Sequence, residues 1–369
     1  MKKVFLFVCL SGLMFSLTTQ AFALIPNTVV GTINTGVNPS GMAITPNSRR
    51  AYIANVNNYG LTDEYAVSVL NLKTNTVETV IKDPSFDEPY TVTLNAKATK
   101  AYVTNSNSST ISIIDTATNQ VSGTILGFDG PSGMVIDHKR NIGYVNNYGG
   151  PDGVGGGNGK TISVVNLLTN LIVGTIQVDQ GPVSLALSPN AKLLYVINYV
   201  DGRPGTGTMN IIRTDINQVV GTVGGLFGPF SIALTPNGKF AYITNFGSND
   251  FDPIGSTVSV VDLKRRFITA TIDLSLQPSG IAITPDGRFA YASNYNTLYR
   301  KPGFKELTSG QGTVAIIDIA TNEVIPPTIA VGSSPARIHI SPNGKFAYTS
   351  NYVGNTINVI ALPHKCKNK

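Results

Sequence analysis

Seven times along the chain a proline is followed, thirteen residues later, by the tyrosine of a Tyr-x-x-Asn tetrad. The pairs are Pro39 and Tyr52, Pro89 and Tyr102, Pro131 and Tyr144, Pro182 and Tyr195, Pro229 and Tyr242, Pro278 and Tyr291, and Pro335 and Tyr348. The tyrosines themselves lie 42 to 57 residues apart. A constant internal offset with a variable repeat length describes one folding unit copied along the chain, its insertions confined to particular loops. Few folds accept that constraint.

Within each copy the third and fifth residues after the proline are apolar, as in Met42 and Ile44 or Ile232 and Leu234, and period two marks a strand. A Thr/Ser-Pro-Asn/Asp turn follows in five copies, at Pro46, Pro189, Pro236, Pro285 and Pro342. A second strand then ends at the tetrad asparagine. A third is seen in TVSVVD at 257–262 or TISIID at 110–115, rich in β-branched residues, and a fourth in NQVVGTV at 217–223. Four strands per copy, seven copies and no helical periodicity predict an all-β, seven-bladed β-propeller of four-stranded blades. The last copy stops after its third strand, at 355–362, while residues 27–33 match 217–223 almost residue for residue. The N-terminal strand is therefore expected to complete the last blade and close the ring.

The tetrads read YVTN at 102–105, with YIAN, YVNN, YVIN, YITN, YASN and YTSN elsewhere. In these motifs residues 27–362 resemble the YVTN family of exported and cell-surface β-propeller proteins. The resemblance implies the fold and an exported location, assigns the tetrad a structural role, and carries no activity with it.

Residues 1–23 read as an export signal, with Lys2 and Lys3 ahead of an apolar run from Val4 to Leu17 and Ala21-Phe22-Ala23 as a cleavage site. Residues 24–362 are expected to form one domain, and 363–369 a basic tail. Cys9 lies in the signal, which leaves Cys366 alone and the fold without an internal disulfide. No segment of the mature chain is long and apolar enough to span a membrane. Without Lys2 and Lys3 there are 25 basic against 21 acidic residues, a mild positive balance that does not favour nucleic acid as a partner.

Length variation falls mainly in the loops between second and third strands, at 56–64, 148–159, 199–206, 246–255 and 295–311, all on one face of the ring. Elaborated loops on a rigid scaffold are where binding usually resides. Tyr148, Tyr199, Phe246, Tyr295 and Tyr352 directly follow their tetrads and start on this face, either covering strand ends or forming platforms for a ligand. Asp87, Glu88, Asp129 and Asp179 precede the opening prolines of consecutive blades, where they are either solvated acids or ligands for Ca²⁺. Two and four residues after the proline, six copies carry small or medium residues, but the seventh has Arg337 and His339. That pair either binds an anion from the central channel, or is satisfied internally by a neighbouring carboxylate and by packing.

Three histidines, no C-x-x-C-H and no tryptophan argue against a histidine-rich zinc site, attached haem and a tryptophan-derived quinone. The glycine run at 155–159 leads into a strand, unlike a phosphate loop. The reading of the sequence is a monomeric, non-catalytic binding or scaffold protein that needs no cofactor. It would present its loop-rich face to a protein or glycan in the periplasm or at the cell surface. A lactonase-like hydrolase or lyase at the channel mouth, or a weak nucleic-acid binder, are the alternatives.

Overall fold

Each proline-to-asparagine unit forms an antiparallel hairpin, and a third and fourth strand continue it outward. The computed structural model describes residues 25–57, 65–150, 157–201, 203–247, 255–274, 277–298 and 308–363. The first blade is Pro39–Ile44, Arg50–Asn55, Ala66–Asn71 and Thr76–Ile81, and five further blades repeat the order. The seventh consists of Pro335–Ile340, Phe346–Asn351 and Thr356–Ala361, with Thr28–Asn34 hydrogen-bonded along the last of these as its outer strand. The fold is the expected seven-bladed propeller, closed by the N-terminal strand. Among the described residues no helix is long and apolar enough to cross a membrane.

The prolines stand first on the innermost strands, where a missing N–H costs no ladder bond. These strands contact their neighbours around the axis, that of the seventh blade touching those of the sixth and first. The small residues after the proline make this approach possible. A Cβ on Gly41 would meet the Cα of Thr91 at 2.8 Å, and one on Gly280 the Cα of Arg337 at 2.8 Å. Gly280 thus makes the room in which the seventh blade carries a large residue at that position.

Both polar tetrad residues are structural. The tyrosine rings are almost wholly buried between blades, and several hydroxyls reach the next blade. Tyr52 donates to Oδ1 of Asn119 at 3.0 Å, Tyr242 to Oδ1 of Asn322 at 2.6 Å, and Tyr291 to Oδ1 of Asn27 at 2.7 Å. The last bond ties the sixth blade to the segment that closes the seventh. The tetrad asparagines donate to polar side chains of the third strand: Asn147 to Thr161 and Ser163, Asn245 to Thr257 and Ser259, Asn351 to Thr356 and Asn358. A TxS pattern opening the third strand is the sequence counterpart of this clamp.

Residues 1–23, Cys366 and the basic tail from His364 lie outside the described residues, as do the charged loop positions Asp63, Glu64, Asp152, Asp250, Asp252, Arg300, Lys301 and Lys305. One element was not foreseen. The ends of the 295–311 loop pair as a two-stranded ribbon, Thr297–Leu298 with Thr308–Ser309, too short to show a periodicity.

Candidate functional site at the channel mouth

Two positions in each of four consecutive blades converge where the channel opens onto the loop-rich face: the residue after the opening proline and the residue after the tetrad asparagine. In the second to fifth blades these are Tyr90 and Ser106, Ser132 and Tyr148, Val183 and Tyr199, and Phe230 and Phe246. All eight line a cavity of about 340 Å³, together with Val56, Glu88, the backbone at Gly130, Gly149 and Gly150, and Arg337.

Arg337 starts on the innermost strand of the seventh blade yet meets residues of the second and fifth. Its guanidinium carbon lies 4.9 Å from the ring centroid of Phe230 and 5.5 Å from that of Tyr90, and Nη2 donates to the Tyr90 hydroxyl at 3.4 Å. Blades on both sides of the axis therefore share one cation, which places it centrally in the channel mouth. Among the described residues no carboxylate lies within ion-pair distance of it. The neighbouring carboxylate expected as its internal partner is replaced by two aromatic faces, whose negative quadrupoles offset part of its charge.

His339 lies two residues further along the same strand, away from the cavity lining. Its Nε2 accepts a hydrogen bond from the backbone N–H of Met42, in the first blade, at 3.3 Å. Burial, and secondarily the Arg337 charge, lower its pKa to about 4, so the ring is neutral at physiological pH. It is a packed seam residue rather than half of a cationic pair.

Of the five aromatics that follow tetrads, the structure brings three to the cavity. Tyr148, Tyr199 and Phe246 form its wall, while Tyr295 and Tyr352 are buried in an apolar cluster with Val56. Phe246 joins the two groups, with ring centroids 5.3 Å from Phe230 and 5.9 Å from Tyr295. Burial, with Tyr90 and Tyr199 nearby, pushes the Tyr148 hydroxyl up to about 12, so it remains a hydrogen-bond donor at any ordinary pH.

The four acids do not gather. Both carboxylate oxygens of Asp87 accept from Nδ2 of Asn107 at 3.0 Å, Asp129 accepts from the N–H of Gly150 at 3.2 Å, and Asp179 accepts from Thr208 at 2.7 Å and Asn210 at 3.1 Å. Glu88 alone faces the cavity, where Ser106 donates to it at 3.2 Å. Among the described residues no group of three or more His, Cys, Asp or Glu is placed to hold a metal ion.

Burial, reinforced by the charge of Asp87, raises the Glu88 pKa although the Ser106 hydrogen bond opposes it. A carboxylate with a raised folded-state pKa stabilises the fold in its protonated form, and that contribution is lost as pH rises through the folded value. Glu88→Gln is therefore expected to melt above the wild type at pH 7, with the difference closing on acidification below the ordinary carboxylate range. An unchanged or lower melting temperature at pH 7 would contradict this.

The sequence reading missed Tyr90, Phe230 and Val183. Their signal was the residue after each opening proline, which is Ser or Ala in the other four blades.

No family model matches the chain. A stretch of 58 residues, little more than one repeat, is 43% identical to the PE-PGRS family protein PE_PGRS18 of Mycobacterium tuberculosis. The match covers 16% of this chain and 12% of that protein. Among solved structures the chain is similar to Kuenenia stuttgartiensis hydrazine synthase, with a TM-score of 0.75 and 18% identity over 94% of this chain and 99% of that one. At that identity the likeness is one of fold.

Proposed function

We propose that this chain is an exported, non-catalytic propeller of the YVTN-repeat type that binds a ligand or partner group at the channel mouth of its loop-rich face. The observation that carries the reading is Arg337, a partly buried cation with no carboxylate partner among the described residues, at a cavity walled by Tyr148, Tyr199, Phe230 and Phe246. Concave, mostly aromatic pockets with a few convergent polar groups are the usual form of a recognition site. Export is supported by the charged, apolar and Ala-Phe-Ala pattern of residues 1–23. The tetrad pattern and the seven-bladed ring support the repeat family.

A thermal-shift screen of residues 24–369 against organic acids, sugars, amino acids, nucleotides and metal ions tests the proposal. At about 100 times its dissociation constant a ligand adds roughly 2.7 kcal/mol of stability. We expect a ligand-dependent rise in melting temperature that Tyr199→Ala abolishes. A rise untouched by Tyr199→Ala, or hydrolysis of esters or lactones that depends on Glu88, would overturn the binding reading.

A further inference from the structure

We infer that the channel-mouth cavity takes a small aromatic monocarboxylate, its carboxylate on the edge of the Arg337 guanidinium and its ring against the aromatic wall. This rests on the reading of the cavity as the binding site and adds the chemistry of the ligand.

The guanidinium has two faces and an edge. Phe230 and Tyr90 lie against the group at 4.9 and 5.5 Å, and the Tyr90 hydroxyl takes one long contact from Nη2. The remaining N–H donors lie in the guanidinium plane, and the partner that matches them is a flat acceptor with two oxygens. Nothing supplied by the described residues fills that role: no carboxylate pairs with Arg337, Glu88 on the cavity wall accepts from Ser106 instead, and the acids on consecutive blades are engaged elsewhere. Asp87 is held by Asn107, Asp129 by Gly150 and Asp179 by Thr208 and Asn210.

The walls decide what else the ligand carries. Tyr148, Tyr199 and Phe246 present aromatic surface around the cation, and a ring laid on them replaces water at apolar surface. Acetate or phosphate would meet the guanidinium but leave that surface wet. The cavity of about 340 Å³ is worth roughly ten water molecules at about 30 Å³ each. That accommodates one ring with a short acid arm. Glu88 on the same wall, backed by Asp87, repels further negative charge, which favours a monoanion over a phosphate or a dicarboxylate.

Calorimetric titration of the mature chain at neutral pH with phenylacetate, phenylacetamide and acetate tests the inference. Phenylacetate is expected to bind at least about tenfold more tightly than its uncharged amide, the difference expected of a hydrogen-bonded charge, and more tightly than acetate. Arg337→Gln should erase the preference for acid over amide. Equal binding of acid and amide by the wild type would overturn the inference, and needs no variant to be folded. So would a preference for the acid that survives Arg337→Gln. If none of these probes binds but a sugar raises the melting temperature in a Tyr199-dependent way, the aromatic-acid assignment falls and the binding site stands. If no ligand effect depends on the cavity, both fall.

Discussion

Deleting residues 25–35 is expected to unfold the ring rather than trim it. The segment supplies the outer strand of the seventh blade, paired from Thr28 opposite Ala361 to Asn34 opposite Thr356. It buries Ile33 in the cluster shared with the first blade, and packs Val29 into the cluster shared with the sixth. It also carries Asn27, which accepts the Tyr291 hydroxyl, and Thr32, which accepts from Nδ2 of Asn358 at 2.9 Å. A buried aliphatic side chain is worth about 2–5 kcal/mol and each hydrogen bond about 1 kcal/mol. The sum is on the order of 5 kcal/mol or more, comparable with the whole stability of a domain, about 5–15 kcal/mol. Chemical denaturation followed by tyrosine fluorescence should show the loss. A truncated protein with an unchanged midpoint would mean that the N-terminal strand is not part of the seam.

Acid is expected to weaken the same seam through His339. Its folded pKa of about 4 lies below the ordinary imidazole value of 6.5, so protons bind preferentially to the unfolded chain between those values. Stability is then full above about pH 6.5 and falls as the pH drops toward 4, at about 1.4 kcal/mol per pH unit, for a total near 3 kcal/mol. The geometry agrees, because a protonated Nε2 can no longer accept from the Met42 N–H. Carboxylates titrate in part of this window, so the comparison is with His339→Gln, which has no such charge to gain. Urea unfolding at pH 7 and pH 4.5 should show the wild type losing roughly 2–3 kcal/mol more than the variant. Equal losses in the two proteins would show that His339 is free to ionise in the folded state.

The fold was legible because every blade restates the same rule. Period-two strands, Thr/Ser-Pro turns and the thirteen-residue offset are local features, and the match between residues 27–33 and 217–223 revealed the closure although the paired strands lie at opposite ends of the chain. The site was legible only in part. Arg337 stood out because it broke a rule that six blades keep, and Glu88, Tyr148, Tyr199 and Phe246 followed from strand position. Its contacts did not. Tyr90 and Arg337 are 247 residues apart, and which residues of non-adjacent blades meet on the axis depends on the radius of the ring and the length of an arginine. Tyr295 and Tyr352 differ from the cavity aromatics in nothing visible to a sequence, since all follow the same tetrad. They are buried by neighbours in other blades, among them Val56. Asp179 is a similar case. It precedes its proline by three residues rather than one or two, and its side chain turns to Thr208 and Asn210, where the fourth blade has replaced the usual serine of the clamp.

The most direct test of the account is whether ligands occupy this cavity. Ser132 lines it together with Tyr148 and Tyr90, and residues 24–369 contain no cysteine but Cys366. In a protein carrying Ser132→Cys and Cys366→Ser, the rate of labelling by a small maleimide reports access to the channel mouth. Labelling should be rapid in the free protein, and slowed in proportion to occupancy by any compound that raises the melting temperature. Compounds that raise it while leaving the labelling rate unchanged would place the binding site elsewhere and contradict the assignment.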